Sequence, residues 1–324
     1  MPTLKDVAAL AGVSPITVSR VINDPETVKP KTRQRVEAAM TELHYVPNAA
    51  AKYLASNRTG VINVYIPKHI DLSNPFVMHL ITGISDVLSE RMYSMLILRD
   101  RSKERMCDGY IVTGLFKDEI NDFVIYAQER RRPVVLFGHT NLPGVTSIDV
   151  DNVLGACQAA RHLLDLGHRR IAMINVREDK DYVADRQAGW QKAFSAMGLP
   201  FNENDVFFAV NSVEGGVQAV CDLPHPENYT AFLCATDTIA IGVAAELRRI
   251  GRSIPQDASI VGFDGLGHEL LSPVQLDTVR QPVFEVGRML AHSLINRLDG
   301  EEVPQETLVA PSFVPGGSTA PYHG

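Results

Sequence analysis

From Val61 onward, short apolar runs alternate with amphipathic stretches, and they do so in two successive sets. The first set of runs is Val61–Ile66, Ser94–Leu98, Gly109–Val112, Pro133–Phe137 and Ser147–Val150, with amphipathic stretches at Phe76–Arg91 and Glu119–Arg131. The second is Arg170–Ile174, Val206–Val210, Ala231–Cys234 and Ile260–Phe263. Helical patterns near Val153–Leu166, Asp185–Met197, Val213–Cys221 and Asp237–Ile250 lie among them. Such alternation predicts two parallel-sheet lobes with helices on both faces. Open parallel sheets bind ligands beyond the carboxyl ends of their strands, so a cleft between the lobes is the expected binding site. A chain of 324 residues with 45% hydrophobic content can bury cores of that size without disulfides or metals.

The first sixty residues read differently. Thr3 and Asp6 form a capping-box-like start to a short helix whose stripe is Val7, Ala8, Leu10 and Ala11. Gly12 breaks that helix. Ser14 restarts one as N-cap with Pro15 at the first helical position, and Val18, Val21 and Ile22 face inward. A third helix is expected from about Pro30 to His44, with Val36, Ala39, Met40 and Leu43 inward and Lys31, Arg33 and Arg35 outward. Two short helices joined by a glycine turn and braced by a third make a helix-turn-helix, whose second helix can enter a major groove. Its outward residues are Pro15, Ile16, Thr17, Ser19, Arg20 and Asn23. Arg20 can donate two hydrogen bonds to a guanine edge, and Ile16 can pack on a thymine methyl.

Charge supports the division. The chain carries a net −7, yet residues 1–60 hold eight basic residues against five acidic ones. The remaining 264 residues hold 23 basic and 33 acidic. A basic head on an acidic body suggests a nucleic-acid contact at one end.

Other classes are set aside on simple grounds. No apolar run approaches the roughly 18–20 residues of a membrane span, and Lys5 and Asp6 interrupt the start where a secretory signal would be apolar. Cys107, Cys157, Cys221 and Cys234 are too far apart for metal spacing and are expected to be buried small hydrophobes in a reducing cytoplasm. Nucleophile-elbow, P-loop, zinc-protease and dinucleotide-binding motifs are absent, and Gly262-x-x-Gly265-x-Gly267 has the wrong spacing for the last. No enzyme, metal or cofactor is expected.

Thr3-Leu4-Lys5-Asp6-Val7-Ala8, Ala11-Gly12-Val13-Ser14, Thr17-Val18-Ser19-Arg20-Val21-Ile22-Asn23, Lys31-Thr32-Arg33 and Leu43-His44-Tyr45-Val46-Pro47-Asn48 together resemble the DNA-binding head of the LacI/GalR family. The body is similar to that family's effector domain at Asn74-Pro75-Phe76, Asp151-Asn152, Leu166-Gly167-His168-Arg169-Arg170-Ile171, Arg186-Gln187-Ala188-Gly189-Trp190, Thr236-Asp237, Val261-Gly262-Phe263-Asp264 and Thr278-Val279-Arg280-Gln281-Pro282. The resemblance implies an all-α helix-turn-helix head over 1–46, a hinge helix over 47–60 and an α/β two-lobe, periplasmic-binding-protein-like effector and dimerisation domain over 61–324. The first lobe would hold about 61–151 and 282–312, the second about 152–281 and 313–324, with three crossings. The final strand near Phe313 is read both ways, because the family's course could also return it to the first lobe.

The resemblance also implies site residues. Thr3, Leu4, Thr27, Thr32, Tyr45, Asn48 and Ala51 join the recognition helix and Ser14 as DNA contacts. In the hinge, Leu54 would wedge a minor-groove base step, and Lys52 stands where many relatives have Arg. In the cleft, Asp237 follows a strand and opens a helix, a place for an N-cap or for a carboxylate accepting two sugar hydroxyls. Arg186 is expected at a helix start, against the helix dipole, which favours a functional role. Phe76 could stack on a sugar ring or serve the core. Trp190 reads as core, and Asn74, His139, Asn211 and Phe263 are the remaining candidates. One departure stands out: only about eight residues separate the strands ending near Leu98 and starting at Gly109, too few for the usual helix. That connection must be strained or extended.

The expected function is a sequence-specific regulator, a repressor of carbohydrate-utilisation genes, controlled by a sugar between the lobes. Its partners would be a palindromic operator duplex and a second copy of itself, with a tetramer left open, and its place the cytoplasm, on the nucleoid. A purine-like corepressor, a phosphoprotein partner and a solute-binding receptor are the alternatives.

Overall fold

The computed structural model describes residues 2–23, 25–45, 58–272 and 274–322. The chain divides into two units, Met1–Gly60 and Val61–Gly324.

In the first unit, α1 (Leu4–Ala11), α2 (Pro15–Asn23) and α3 (Pro30–Glu42) surround a small core of Val7, Ala8, Ala11, Val18, Val21, Val36 and Ala39. The capping box at α1 is complete. The Asp6 amide donates to Thr3 Oγ1 at 3.4 Å, and the Thr3 amide donates to the Asp6 carboxylate at 2.7 Å. Ser14 caps α2 by accepting from the Thr17 amide at 3.2 Å. Two basic residues expected to face outward are tied down instead. Arg35 donates to the Ala11 carbonyl at 2.5 Å, bracing the turn, and Arg33 pairs with Glu26 at 3.0 Å.

The second unit opens with β1 (Val61–Tyr65), α4 (Pro75–Glu90), β2 (Ser94–Leu98), β3 (Gly109–Val112), α5 (Lys117–Glu129), β4 (Val134–Phe137) and β5 (Thr146–Val150). It continues with α6 (Asn152–Asp165), β6 (Ile171–Val176), α7 (Asp181–Ala196), β7 (Val206–Ala209), α8 (Val213–Cys221), β8 (Ala231–Cys234), α9 (Asp237–Arg249), β9 (Ser259–Asp264) and β10 (Asp277–Arg280). It closes with α10 (Val283–Leu298), β11 (Glu306–Val309) and β12 (Ser312–Val314). One sheet has the order β11-β5-β4-β3-β1-β2 and is wholly parallel; the other is β12-β10-β9-β8-β6-β7. The strand at Phe313 therefore belongs to the second lobe, where Val279 pairs antiparallel with Phe313. Ser318 holds the tail beside it by donating to the Ile260 carbonyl at 2.6 Å.

Two helices cover one face of the first sheet, and their approach explains a pair of glycines. α4 packs on α10 so closely that a Cβ at Gly83 would meet the Phe284 carbonyl at 2.0 Å, and one at Gly287 would meet the Leu80 carbonyl at 2.5 Å. The opposite face has a core of Tyr110, Val112, Phe123, Val124 and Ala127 under α5. There the short β2–β3 connection crosses β1 as extended chain with one 3-10 turn, Arg101–Lys103, and no left-handed residue. It is extended, not strained. Glu104 anchors it by accepting from Tyr110 Oη, Tyr126 Oη and, at 2.9 Å, Arg130 Nε.

The cysteines depart from expectation. Cys107 and Cys234 are buried, but Cys157 is half-buried, and Cys221 is exposed with its thiol donating to Glu246 at 3.2 Å. Among the described residues, no helix is long and apolar enough to cross a membrane.

Candidate functional sites

On the head, α2 presents Pro15, Ile16 and Arg20 to solvent, with Ile16 68% exposed. An isoleucine so exposed has no packing role in the head, and its place one turn from Arg20 makes a mixed apolar and cationic face. Thr17 and Ser19 are half-buried flanks of that face, and Ser14 Oγ and Thr17 Oγ1 lie 2.9 Å apart. Thr27 is exposed in the turn after α2, and Thr32 is half-buried in the first turn of α3. Thr3 is engaged with Asp6, while Leu4 and Tyr45 pack against the head core. Asn23 closes α2. Asn48, Ala51, Lys52 and Leu54, with the hinge they define, lie outside the described residues.

In the body, a cavity of about 370 Å³ opens at the carboxyl ends of both sheets. Its walls come from residues just past strand ends: Thr113 after β3, Phe137 and His139 at β4, Asp149 and Asn152 around β5, Tyr182 after β6, Asn211 after β7, Thr236 after β8, Asp264 at β9 and Gln281 after β10. Asn74, Phe76, His139, Arg186 and Asn211 all line it. Phe76 meets Phe137 edge-on, with centroids 5.0 Å apart. The two rings form an aromatic corner. Asn74 caps α4 by accepting from the Phe76 amide at 2.9 Å, and His139 Nδ1 lies 2.7 Å from Glu306.

Arg186 is the buried polar centre. It sits in the second turn of α7 and not at its start, so the dipole argument for it loses force. Burial disfavours its charge, and the surroundings answer this in several ways. Nε donates to Asn152 Oδ1 at 3.0 Å, Nη1 donates to the Ala235 carbonyl, and Asp264 Oδ1 lies 3.9 Å away. The guanidinium carbon is 3.7 Å from the Phe263 centroid and 4.8 Å from that of Tyr182. Phe263 is thus a buried support beneath Arg186 and is not among the lining residues.

Asp237 requires a correction. It does not line the cavity, and the N-cap of α9 is Thr236, whose Oγ1 accepts from the Ile239 amide at 3.2 Å. The Asp237 carboxylate turns beneath the cleft floor, taking the Gly265 amide at 2.7 Å and Thr278 Oγ1 at 2.6 Å. Gly262 makes the room, since a Cβ there would lie 2.1 Å from Asp237 Oδ1. Burial, then the nearby charge of Asp264, pushes the Asp237 pKa up.

Of Asp237 and Asp264, the two strand-end acids of the second lobe, it is Asp264 that lines the cavity. It adopts φ 128, a left-handed value uncommon for a residue with a side chain, and it accepts from Gln281 Nε2 at 2.7 Å. Burial raises its pKa to about 6, opposed by Arg186. Across the cleft, burial lifts Asp149 to about 7. Neither was singled out from sequence. The rule that nominated Phe263 from a strand end applies equally to Asp264, one residue further along. Among the described residues, no group of three or more His, Cys, Asp or Glu side chains is placed to hold a metal.

A helix-turn-helix head followed by a two-lobe, cleft-bearing body is the architecture of regulators whose effector domain resembles a periplasmic binding protein. The comparisons agree. Residues 3–48 match the family described as bacterial regulatory proteins, lacI family, and residues 160–319 match the periplasmic binding protein-like domain. The HTH-type transcriptional regulator YvdE of Bacillus subtilis (strain 168) is 37% identical over 310 residues, covering 95% of this chain and 96% of that one. The solved complex of the transcriptional regulator CelR with cellobiose aligns with a TM-score of 0.74 at 30% identity, over 98% of this chain and 100% of that one. The lac repressor dimer bound to operator and an anti-inducer gives 0.73 at 26% identity, over 98% and 99%. The chain belongs to the LacI family of bacterial regulatory proteins.

Proposed function

We propose that the protein is a repressor of carbohydrate-utilisation genes whose operator affinity is set by a sugar held between the two lobes. One observation carries the sugar assignment: a single cavity joins an aromatic corner, Phe76 with Phe137, to a buried hydrogen-bonding centre of Arg186, Asn152 and Asp264. Sugar rings offer an apolar face to aromatic rings and vicinal hydroxyls to fixed donors and acceptors. The cellobiose bound by CelR supports the same reading. Asn74, His139 and Asn211 complete the proposed contact set.

On the DNA side, two heads of a homodimer would read an operator of matching two-fold symmetry, since a two-fold protein imposes a two-fold site. Arg20, Ile16, Pro15, Thr17 and Ser19 would face the major groove, and the segment 47–60 would transmit lobe closure to the heads. Effector and operator are then reciprocally coupled ligands. Fluorescence anisotropy of the full chain on DNA from its own upstream region, with and without a panel of sugars, tests this. A sugar that both raises the melting temperature and shifts operator affinity is the expected result. DNA binding indifferent to every sugar, with no thermal shift, overturns the sugar reading and leaves the head assignment standing.

A further inference from the structure

We infer that the cleft accepts an uncharged sugar and rejects its phosphorylated or carboxylated counterpart; this rests on reading the cleft as a sugar site. The charges around the cavity carry the argument. Among the described residues that line it, the Lys and Arg side chains are Lys180 and Arg186, and each is already matched by a carboxylate. Lys180 Nζ lies 2.9 Å from Glu178 Oε2, with its side chain only 13% exposed. Arg186 is held by Asn152 and the Ala235 carbonyl, with Asp264 at 3.9 Å. Asp181, a third lining acid, is offset by Lys117 at 3.4 Å. Asp71 and Asp149 also line it without an ion pair among the described residues; the charge of Arg99 acts on Asp71, and burial raises Asp149 to about 7.

Among the described lining residues, carboxylates therefore outnumber Lys and Arg five to two. A phosphate monoester carries about −1.5 to −2 charge near neutral pH. Placed here it would face like charges in a partly desolvated site, where repulsion is strong. Helix amino ends could hold an anion in principle, but three of those at the cleft are capped by side chains, and the amino end of α7, which has no side-chain cap, carries Asp181 in its first turn. Asn74 takes the Phe76 amide at 2.9 Å, Asp151 the Leu154 amide at 2.8 Å and Thr236 the Ile239 amide at 3.2 Å. Uncharged sugars face the opposite situation. Their hydroxyls are donors, and Asp149, with Oδ1 taking the Val150 amide at 2.7 Å, keeps acceptor capacity for them. Arg186 likewise keeps N–H donors for ring and hydroxyl oxygens.

The test uses the full chain and matched ligands: glucose, ribose, cellobiose and trehalose, each beside its monophosphate ester, by calorimetric titration. At least one uncharged sugar is expected to bind, with its ester at least tenfold weaker. An ester that binds as tightly as its parent overturns the inference while preserving the sugar reading. Failure of all eight ligands overturns the sugar reading, and this inference with it. A second arm uses Glu178→Gln, which frees the Lys180 charge. This variant is expected to narrow the gap between parent and ester several-fold, provided its own melting transition shows it folded. A gap unchanged in folded Glu178→Gln, and equally in Asp149→Asn, shows that lining charge does not set selectivity and overturns the inference.

Discussion

The guanidinium carbon of Arg186 lies 3.7 Å from the centroid of the Phe263 ring, in a pocket that leaves the arginine 4% exposed. A cation so buried survives by directed partners: Asn152 and Ala235 as acceptors, Asp264 as counter-charge, and two aromatic faces. These partners fix the plane of the fork at the cavity wall, which Arg186 lines.

From this follows the behaviour of Arg186→Lys. Lysine keeps the charge but has no planar fork, so it cannot hold Asn152 and the Ala235 carbonyl while reaching a ligand. Effector affinity is expected to fall by about 1.5–3 kcal/mol, the usual worth of hydrogen bonds to a charged group. Operator binding without effector should be retained. Calorimetry on the effector and anisotropy on the operator check the two halves; an unaltered effector affinity would remove Arg186 from the contact set.

Asp237 leads to a different expectation. Its oxygens satisfy the Gly265 amide and Thr278 hydroxyl inside the second lobe. Asp237→Ala leaves both buried donors without that partner, at about 1–3 kcal/mol each. The variant should melt earlier, yet still respond to effector once folded at low temperature. Loss of response at full thermal stability would show instead that the carboxylate reaches the ligand.

The pattern of success in reading the sequence has a physical basis. Strands buried between helices announce themselves as apolar runs, so β2, β3 and β8 fall where the runs from Ser94, Gly109 and Ala231 place them. Capping residues are equally local, as Thr3 with Asp6 and Ser14 with Thr17 show. What the sequence conceals is direction. Asp237 and Asp264 both stand at strand-end positions, and only the backbone turn at Asp264 and the vacant Cβ position at Gly262 decide which carboxylate meets the cleft. Arg35 reads as a surface cation because its partner, the Ala11 carbonyl, lies 24 residues away. Phe313 resists placement for the same reason, since its pairing with Val279 spans a whole lobe crossing.

Buried Asp149 makes stability depend on pH in a predictable sense. Burial raises its pKa to about 7, reinforced by the charges of Asp185 and Asp181 and opposed by Arg186. An unfolded aspartate loses its proton near 4. Between these values the folded state holds more protons, so stability falls as pH rises from about 4 to 7. The full penalty, at most roughly 4 kcal/mol for such a shift, is present above pH 7. Asp149→Asn removes it, flattening the pH profile and raising the melting temperature most at pH 8. Asp264, at about 6, contributes in the same sense and leaves a smaller slope in the variant. Equal melting temperatures for parent and variant at pH 8 would show that Asp149 ionises without cost.

Arg20 concentrates the specificity expected of the head. It is exposed in the last turn of α2, on the face that also presents Ile16, and no ion pair holds it among the described residues. By contrast Arg33 is committed to Glu26 and Arg35 to the turn carbonyls, so neither is available for phosphate or base without breaking a head contact. A guanidinium reading a guanine edge bidentately contributes about 1–3 kcal/mol of discrimination. Arg20→Ala should therefore lose preference for the operator over random duplex by about ten- to a hundredfold, while Lys31→Ala should weaken both duplexes together and lower the salt dependence. Titrations of each variant against the two duplexes at two salt concentrations separate these outcomes. Equal losses on both duplexes for Arg20→Ala would assign it to the phosphate backbone, and effector binding should be unmoved in either variant.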